Sequence, residues 1–382
     1  MAEQPLAAAE PTETLTLSVV IPATNVPRTL NRCLAAIQTA DDPPEEIVLS
    51  RRVSDGTVPE ARNGAASRAG GDLLVFVDAD VEVHGDVFTR IRAAFEDPEL
   101  TAMFGSYDDE PSHPGVVSQF RNLLHHHVHQ RSAGRAETFW SGLGAIRRDA
   151  FLAHHGFDRD RFTAPSVEDI ELGMRLSAAG GKIVLDPAMQ AKHLKPWTFR
   201  SMLRTDLLHR GVPWITLLLR QRTHSRTLNL GWRHRVSALA ALGALVAVVL
   251  LEPIVLAAAL VLLVALNSSF YSLLLHRQGP PRASIGIGLH VLHLLTAVLS
   301  LVIGTAAYLF EHERWQPARA RLDLALSIMP SRRGGERPAG TAPAAGVGAD
   351  RPLAERREGK RSAGGSLSRP IDPRVSGAAA HD

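Results

Sequence analysis

Two aspartates, separated by one residue, follow an apolar run in the stretch LLVFVDADVEVH, Leu73 to His84. In an extended chain Asp78 and Asp80 share one side, because strand side chains alternate between the two faces. Two carboxylates held that close repel each other unless a cation lies between them. Glu82 continues the alternation and offers a third oxygen ligand. The pattern predicts a Mg²⁺ or Mn²⁺ site shared with a diphosphate, and the alternative is a solvated acidic turn.

A second pair of carboxylates, Glu168 and Asp169, stands at the start of a helical pattern in SVEDIELGMRLSAAGG. The helix is predicted to end at Gly180 and Gly181. A helix N-terminus favours an ionised carboxylate, because its free N–H groups and its dipole both stabilise negative charge. An ionised carboxylate is the form that a general base requires. The pair therefore predicts a catalytic base, and the alternative is that both side chains only cap the helix.

The composition restricts the class of protein. The 382 residues carry a net charge of +3, and the basic residues are mostly arginines that gather after Arg200. This distribution favours a membrane surface and gives no indication of nucleic acid binding. The single cysteine, Cys33, excludes an internal disulfide framework and fits a reducing compartment. The start, MAEQPLAAAEPTETLT, lacks the features of a signal peptide, so the first domain is expected in the cytoplasm.

Short apolar runs alternate with helical patterns over residues 15–199. LSVVIP, EEIVLS and DLLVFV predict strands, and RTLNRCLAAIQTA and ARNGAASRAGG predict helices between them. This alternation predicts an α/β domain with a mostly parallel sheet and helices on both faces. Ligands of such domains bind beyond the carboxyl ends of the strands, which is where Pro22, Ala23, Asn25 and the two aspartates fall.

Residues 236–310 are strongly apolar. The last run, Ala283 to Phe310, has no charged residue, and a membrane span needs roughly 20 apolar residues. The part before it is long for one span and short for two, and its centre, Glu252–Pro253, predicts either a kinked helix or a tight hairpin. Two or three spans are expected, and the arginines on both flanks favour an even number with both flanks cytoplasmic. The alternative is the buried helical core of a soluble domain.

The remaining segments are assigned by composition. Residues 200–235 mix arginines with Leu, Ile and Trp, which predicts an amphipathic segment in the membrane interface; a packed surface helix is the alternative. Residues 311–329 are assigned as a juxtamembrane segment. Residues 330–382 are rich in Pro, Gly, Ala, Ser and Arg and predict a disordered basic tail, and residues 1–14 a flexible N-terminus.

Several sequence pieces occur in a fixed order between Val19 and Trp197: VVIPATN, ARNGAASRAGGDLLVFVDAD, FWSGLGAIRRDAF, GFD, VEDIELGMRL and HLKPW. Together they resemble the family 2 inverting glycosyltransferases of the GT-A nucleotide-sugar-binding fold, of the membrane-anchored bacterial type. The resemblance covers about half of the chain. It implies transfer of a sugar, of the hexosyl type, from a nucleotide diphosphate-sugar with inversion at the anomeric carbon.

The resemblance also implies roles for the carboxylates. Asp78 is expected near the nucleoside and, with Asp80, at the metal on the diphosphate. Asp169 is expected to be the base, with Glu168 positioning either the acceptor or the base. His193 follows the IVLDP strand, where some enzymes of this fold add a metal ligand.

Further candidates are expected to line the same region. Arg62 and Asn63 match the family's Arg-Asn pair near the nucleotide, and a plain helix surface is the alternative. Trp140 offers a flat face to a sugar, and Gly142 allows a ligand to approach the backbone closely. Together with Trp197 they are assigned to the acceptor site, and ordinary core packing is the alternative.

The run LLHHHVHQ contains four histidines, His125, His126, His127 and His129, and suggests a metal cluster. Adjacent residues of a helix point in different directions, however. A polar or acceptor-facing helix is therefore the preferred interpretation.

The sequence departs from the family in two places. Where the family has an aspartate that reads the nucleobase, Ser50 stands here and Asp55 is displaced. The nucleobase is therefore left open, and Arg51 or Arg52 is a candidate for a phosphate contact. Processive polysaccharide synthases carry a Gln-x-x-Arg-Trp motif, which HLKPW matches only at Trp197.

These observations predict a metal-dependent glycosyltransferase of the inner or plasma membrane, with its catalytic domain on the cytoplasmic face and a role in cell-envelope glycans. The acceptor is expected to be lipid-linked or membrane-embedded, because an enzyme held at the bilayer meets amphiphilic substrates. The alternatives are a processive polysaccharide synthase, which needs more spans, and a non-catalytic nucleotide-sugar-binding scaffold. A nucleotidyltransferase is disfavoured, because IPATNVPRT has no glycine for a phosphate loop.

Overall fold

The structure is a computed structural model that describes residues 14–23, 28–50, 57–162, 165–221 and 231–328, from 311 onward as backbone only. Four residues with sequence-based predictions lie outside the described parts, namely Asn25, Arg51, Arg52 and Asp55. The N-terminal segment before residue 14 and the tail 330–382 also lie outside them.

The described residues contain one sheet of eight strands: β1 Leu17–Pro22, β2 Glu46–Ser50, β3 Leu73–Val77, β4 Val81–Val83, β5 Leu100–Tyr107, β6 Gly134–Ala136, β7 Leu143–Arg147 and β8 Lys182–His193. Their order is β2-β1-β3-β7-β5-β8-β4, with β6 also paired to β8. β1 runs parallel to β2 and β3, and β5 to β8, whereas β7 lies antiparallel between β3 and β5. The α/β fold class is confirmed. The antiparallel pairs involve β4, β6 and β7, and no helix separates β4 from β3 or β7 from β6.

Helices cover both faces of the sheet: α1 Leu30–Gln38, α2 Val58–Ala66, α3 Val87–Phe95, α4 Val116–Gln130, α5 Arg148–Ala153 and α6 Glu168–Ala178. After β8, a continuous helical stretch consists of α7 Phe199–Arg204, a π-helical segment Thr205–Gly211 and α8 Val212–Gln221. Thr205–Gly211 is called the π segment below. π-helical turns are rare and frequently occur at functional sites.

The central strands are apolar on both faces, so the sheet is buried between two layers of helices. Val19 and Val75 face α1 and α3, while Val20 and Phe76 face α2 and α6. A strand covered on both faces needs no polar alternation, which explains the uninterrupted apolar run of β3. Since β1 and β3 are parallel neighbours, their carboxyl ends open at the same edge of the sheet.

Two C-terminal helices are long and apolar enough to cross a membrane: α9 Trp232–Val249 and the Pro253–Phe310 part of α10 Pro253–Ile328. Gly279 has φ 71° and divides α10 into two helical runs. The Asn267 side chain donates a hydrogen bond to Ser237 Oγ at 2.9 Å, so α9 and the first run of α10 lie side by side. The chain therefore turns back at Glu252–Pro253 as a hairpin, which was one of the two predicted alternatives.

Helix α4 joins the α/β domain to these apolar helices. Its residues Phe120 and Leu123 share a buried cluster with Phe270 and Leu274 of α10. This contact explains why α4, although polar in much of its sequence, has one apolar face.

Candidate active site

Asp78 and Asp80 lie in a turn between two strands. β3 ends before Asp78 and β4 begins after Asp80, so the two aspartates are not on one extended strand as expected. The Val81 N–H donates to the Asp78 carbonyl at 3.0 Å, and Thr29 Oγ1 donates to the Ala79 carbonyl at 2.8 Å. These bonds fix residues 78–80, called the acidic turn below, at the carboxyl edge of the sheet.

One buried arginine connects the acidic turn with helix α6. The Arg62 guanidinium donates to Asp78 Oδ1 at 2.6 Å and to Glu168 Oε1 at 3.0 Å, and its side chain is only 6% exposed. Burial by itself lowers the pKa of Arg62, but Asp78, Glu168 and Asp169 hold this pKa above its ordinary value. The two carboxylate pairs singled out in the sequence therefore meet at one site, on either side of a permanent positive charge. Arg62 does not lie on an exposed helix surface, which was the alternative.

Asp169 is held by the chain segment that follows Trp140. Its Oδ2 accepts hydrogen bonds from the Ser141 N–H at 3.0 Å and from the Ser141 hydroxyl at 3.1 Å. Its Oδ1 accepts one from the Ile170 N–H at 2.8 Å. Asp169 is half-buried, so its carboxylate is fixed and still reaches the solvent. It joins α6 to a neighbouring loop, which a simple helix cap does not do.

Glu168 is more deeply buried than Asp169. Its side chain is 4% exposed, and its Oε2 accepts a hydrogen bond from the Ser166 N–H at 2.7 Å. Burial raises the pKa of Glu168, and the Arg62 guanidinium counteracts this effect. With both oxygens engaged, Glu168 is arranged as a positioning group beside Asp169.

Asp80 and His193 form the pair of side chains best arranged for a divalent cation. His193 Nε2 lies 3.9 Å from Asp80 Oδ2. Burial, reinforced by the charge of Lys195, lowers the pKa of His193 to about 3, so its imidazole is neutral and can act as a ligand. Burial and the charge of Asp78 raise the pKa of Asp80 to about 6. A nearby carboxylate and neutral imidazole fit a divalent cation, which would also relieve the burial of the Asp80 charge.

The other predicted metal ligands are engaged elsewhere. Glu82 pairs with Arg32 of α1 at 2.5 Å, and Asp78 pairs with Arg62. Within the described parts of the chain, no three His, Cys, Asp or Glu side chains are grouped so as to hold a metal ion. Of the four predicted ligands, Asp80 and His193 therefore lie together. Glu82 does not join them, because the turn at residues 78–80 interrupts the strand alternation on which its prediction depended.

Aromatic rings line the site next to His193. His193 stacks on Tyr107 with centroids 4.3 Å apart and planes 14° apart, and Trp140 meets the edge of Tyr107 at 4.9 Å. A Cβ at Gly142 would lie 2.4 Å from the Trp140 ring, so this position requires glycine. Trp140 is half-buried and packs on both core layers. It forms a wall of the site that the core holds in place.

The histidines of α4 point in different directions. His125 and His129 lie against Trp140, with centroids 4.5 and 5.4 Å away, whereas His127 lies against Phe270 of α10. Burial lowers the pKa of His129 to about 4 and that of His125 well below its ordinary value, so both rings are neutral. His125 and His129 therefore belong to the wall of the site on one side of α4. His127 belongs to the contact with α10 on the other side.

Pro22, Ala23 and Asn63 are the remaining candidates for the donor side among the residues that the structure describes. Pro22 is paired with Ser50 in register, and the Ala23 N–H donates to the Ser50 carbonyl at 3.1 Å. Asn63 forms two hydrogen bonds with the backbone of Phe157, at 2.7 and 2.9 Å. Its side chain is thereby occupied in holding the GFD segment.

A buried charge network joins α4, the π segment and α10. Asp206, with a side chain 4% exposed, accepts hydrogen bonds from Arg121 Nη1 at 2.6 Å and from His293 Nδ1 at 2.9 Å. The Arg121 guanidinium also lies 5.0 Å from the centre of the Trp197 ring. Burial opposes ionisation of Asp206, but Arg121 and His293 together lower its pKa to about 2. Sequence reasoning missed Arg121 and Asp206, because residues 85 positions apart leave no spacing signal.

Asp206→Asn is expected to destabilise the protein by about 3 kcal/mol, because it leaves the Arg121 charge buried without a counter-charge. The unfolding temperature of the purified chain in detergent measures this effect. Asp86→Asn is the matched control, since Asp86 pairs with Arg90 in an exposed i,i+4 pair that contributes little. Equal unfolding temperatures for the two variants would contradict the prediction.

The sequence matches the model of a known protein family. The model of glycosyl transferase family group 2 matches residues 73–310, which include the acidic turn, α6, His193 and the apolar helices. The fold is similar to that of the mannosyltransferase PcManGT from Pyrobaculum calidifontis in complex with GDP-Man and Mn²⁺, with 16% identity, coverage of 81% of this chain and 91% of that chain, and a TM-score of 0.43. It is also similar to GalNAc-T7 with UDP, GalNAc and Mn²⁺, with 16% identity, coverage of 60% and 51%, and a TM-score of 0.38. No curated protein matches the sequence. Because the family model covers more than half of the chain, the protein belongs to glycosyl transferase family group 2 and is a glycosyltransferase.

Proposed function

We propose that this glycosyltransferase transfers a sugar from a nucleotide diphosphate-sugar, with inversion, to a lipid-linked or membrane-embedded acceptor. The observation that carries the proposal is the Arg62 bridge between Asp78 and Glu168, at 2.6 and 3.0 Å. It supports a single site in which the acidic turn receives the donor and the start of α6 receives the acceptor. The catalytic domain is proposed to lie on the cytoplasmic face of the inner or plasma membrane.

The donor side of the site carries the acidic turn and His193. Glycosyl transfer leaves negative charge on the departing diphosphate while the sugar gains oxocarbenium character. A divalent cation held by Asp80 and His193 would act as a Lewis acid toward that diphosphate. The mixed oxygen and nitrogen ligands favour Mn²⁺, because Mg²⁺ is bound mainly through oxygen. Asp78 remains with Arg62 on the nucleoside side.

Asp169 is proposed to take the proton from the acceptor hydroxyl. A carboxylate offers about four lone pairs. Asp169 Oδ2 already accepts two hydrogen bonds from Ser141, and Oδ1 accepts one from Ile170. The open lone pair is therefore on Oδ1, which becomes the proton acceptor as the hydroxyl attacks the face of the sugar opposite the diphosphate. Glu168 positions this group through its contact with Arg62.

The contact between the catalytic domain and the apolar helices supports a membrane acceptor. Helix α4 contributes His125 and His129 to the wall of the site and packs with Phe270 of α10 on its other side. A substrate that enters along the apolar helices therefore reaches the site past a single helix. Membrane-embedded acceptors are the class that benefits from this arrangement.

The activity is tested with the purified full-length chain in detergent, Mn²⁺ and a panel of nucleotide diphosphate-sugars. One donor is expected to give metal-dependent release of nucleoside diphosphate, which increases when membrane lipid extract is added. Binding of a donor without turnover would instead indicate a non-catalytic scaffold. Products longer than one added sugar would indicate a polysaccharide synthase.

Asp80→Asn is expected to weaken activation by Mn²⁺ by about a hundredfold or more, since loss of even an outer partner of a metal site costs about 10- to 100-fold in affinity. The measurement is the concentration of Mn²⁺ that gives half-maximal activity. His193→Gln is expected to show a smaller shift in the same direction. Glu82→Gln is the matched control, because Glu82 pairs with Arg32, and a shift as large as that of Asp80→Asn would contradict the two-ligand assignment.

A further inference from the structure

We propose that Arg210 binds a phosphate group on the acceptor, so that the acceptor is a phosphate-bearing lipid. This inference rests on the proposed function, which supplies a membrane acceptor, and it adds the chemical class of that acceptor. Arg210 lies in the π segment and is exposed. Among the residues that the structure describes, no carboxylate forms an ion pair with it.

The residues on either side of Arg210 place it between Ser166, which precedes α6, and the apolar helix α10. The His209 carbonyl accepts a hydrogen bond from Ser166 Oγ at 2.7 Å, and the Ser166 N–H bonds to Glu168 at the start of α6. On the other side, Gly211 packs so closely on α10 that a Cβ there would lie 2.0 Å from Ser300 Oγ. Arg210 therefore stands where the proposed base meets the apolar surface.

The charge of Arg210 acts on titratable groups of the site and of its own segment. After burial, which is the largest cause, this charge is one of the causes that lower the pKa values of His125, His129 and His193. It also contributes, after Arg121 and His293, to the lowered pKa of Asp206. These rings are neutral and offset no positive charge. The acidic residue of the same segment, Asp206, is already bound by Arg121 and His293. A ligand with several negatively charged oxygens would supply the missing counter-charge.

A phosphate matches the geometry of a guanidinium, because the parallel N–H groups of arginine donate to two of its oxygens at once. An apolar chain attached to the phosphate also finds a matching surface. Leu208 in the π segment is 55% exposed, and Leu301 and Val302, next to Ser300, are 53% and 62% exposed. The combination of a cation and an exposed apolar side chain in one segment, next to an exposed apolar helix, fits a lipid phosphate better than a soluble anion.

The donor diphosphate is a less suitable partner for Arg210, since other groups serve it. At Asp80 the favourable charges come first from Lys195 and then from Arg62. Lys195 follows His193 by two residues, and its Nζ lies 5.0 Å from the centre of the Trp197 ring. Lys195 therefore belongs to the donor side, and Arg210 to the side that faces the apolar helices.

The test measures binding to the full-length protein in a neutral maltoside detergent, so it needs no turnover. The probes are dodecyl phosphate, inorganic phosphate, and UDP and GDP with Mn²⁺. Arg210→Gln is expected to weaken dodecyl phosphate binding about 10- to 100-fold, the effect of losing a charge-assisted hydrogen bond. Arg210→Lys should restore part of the affinity, and nucleoside diphosphate binding should stay unchanged. Arg204→Gln is the matched control, because it removes an exposed arginine of the same helical stretch and reports non-specific attraction to charged micelles.

Three results would overturn the proposal. The first is equal dodecyl phosphate binding by the wild type and Arg210→Gln, or by Arg210→Gln and Arg204→Gln. The second is an equal loss of UDP or GDP binding in Arg210→Gln, which would assign the residue to the donor. The third is inorganic phosphate binding as tight as that of dodecyl phosphate, which would assign a free anion. Failure of the proposed function would give a different result. Nucleoside diphosphates would then fail to bind, while the Arg210-dependent binding of dodecyl phosphate would persist.

Discussion

Replacing Asp169 with asparagine is expected to lower the rate of sugar transfer by about 10²- to 10⁴-fold, the contribution of a positioned general base. Asparagine retains the shape of the side chain and an oxygen for the Ser141 bonds, but it takes no proton at neutral pH. The fold and the affinity for the donor should be retained, although the hydrogen bond that Asp169 Oδ1 accepts from the Ile170 N–H is lost. The measurement is kcat with the donor identified in the panel, together with the unfolding temperature.

Asp149→Asn is the matched control for Asp169→Asn. Asp149 stands in the first turn of α5, and its Oδ1 accepts a hydrogen bond from the next N–H at 2.6 Å, as Asp169 Oδ1 does at 2.8 Å. It is exposed, and this hydrogen bond stays within α5. Its replacement should leave kcat unchanged. A near wild-type rate for Asp169→Asn would remove the base assignment, while the acidic turn and the metal pair would still be open to test.

Arg62→Gln is expected both to abolish transfer and to destabilise the fold by about 3–5 kcal/mol, the cost of leaving a buried charge unpaired. Arg62 and Glu168 are 6% and 4% exposed, so water cannot replace the lost partner. Without the guanidinium, Asp78 and Glu168 also repel each other across the site. Arg159→Gln serves as control, because the pair of Arg159 with Glu60 is exposed and contributes little.

A double replacement separates the two effects of Arg62. Arg62→Gln combined with Glu168→Gln removes both buried charges and retains a side chain that can accept the Ser166 hydrogen bond. It is expected to recover at least half of the lost stability, as seen from the unfolding temperature, while transfer stays absent. If the double variant is less stable than Arg62→Gln, the buried pair is not the cause of the destabilisation.

Local chemistry explains which parts of the site were predictable. The apolar run of β3 followed by two aspartates, and the two carboxylates that begin α6, are patterns within fewer than twenty residues. Each reflects a local rule, either burial of a strand on both faces or stabilisation of charge at a helix start. The apolar helices were predictable for the same reason, because a span is a property of one continuous segment.

The same rules failed where the chain changed direction. The alternation that joined Asp78, Asp80 and Glu82 assumed an extended strand, but Thr29, the residue before α1, holds the chain in a turn through the Ala79 carbonyl. Glu82 then meets Arg32 of α1. A hydrogen bond from a residue 50 positions away decided the outcome, and no pattern within the stretch records it.

The sequence by itself determined the first three strands, the start of α6, the apolar helices and the types of residues that carry the chemistry. The tertiary structure alone decided which of them meet: Arg62 with Asp78 and Glu168, Asp80 with His193, and Asp206 with Arg121. In the sequence, Arg62 is 16 positions from Asp78 and 106 positions from Glu168. An ion pair between such distant residues depends on how strands and helices stack, and stacking has no period that the sequence displays.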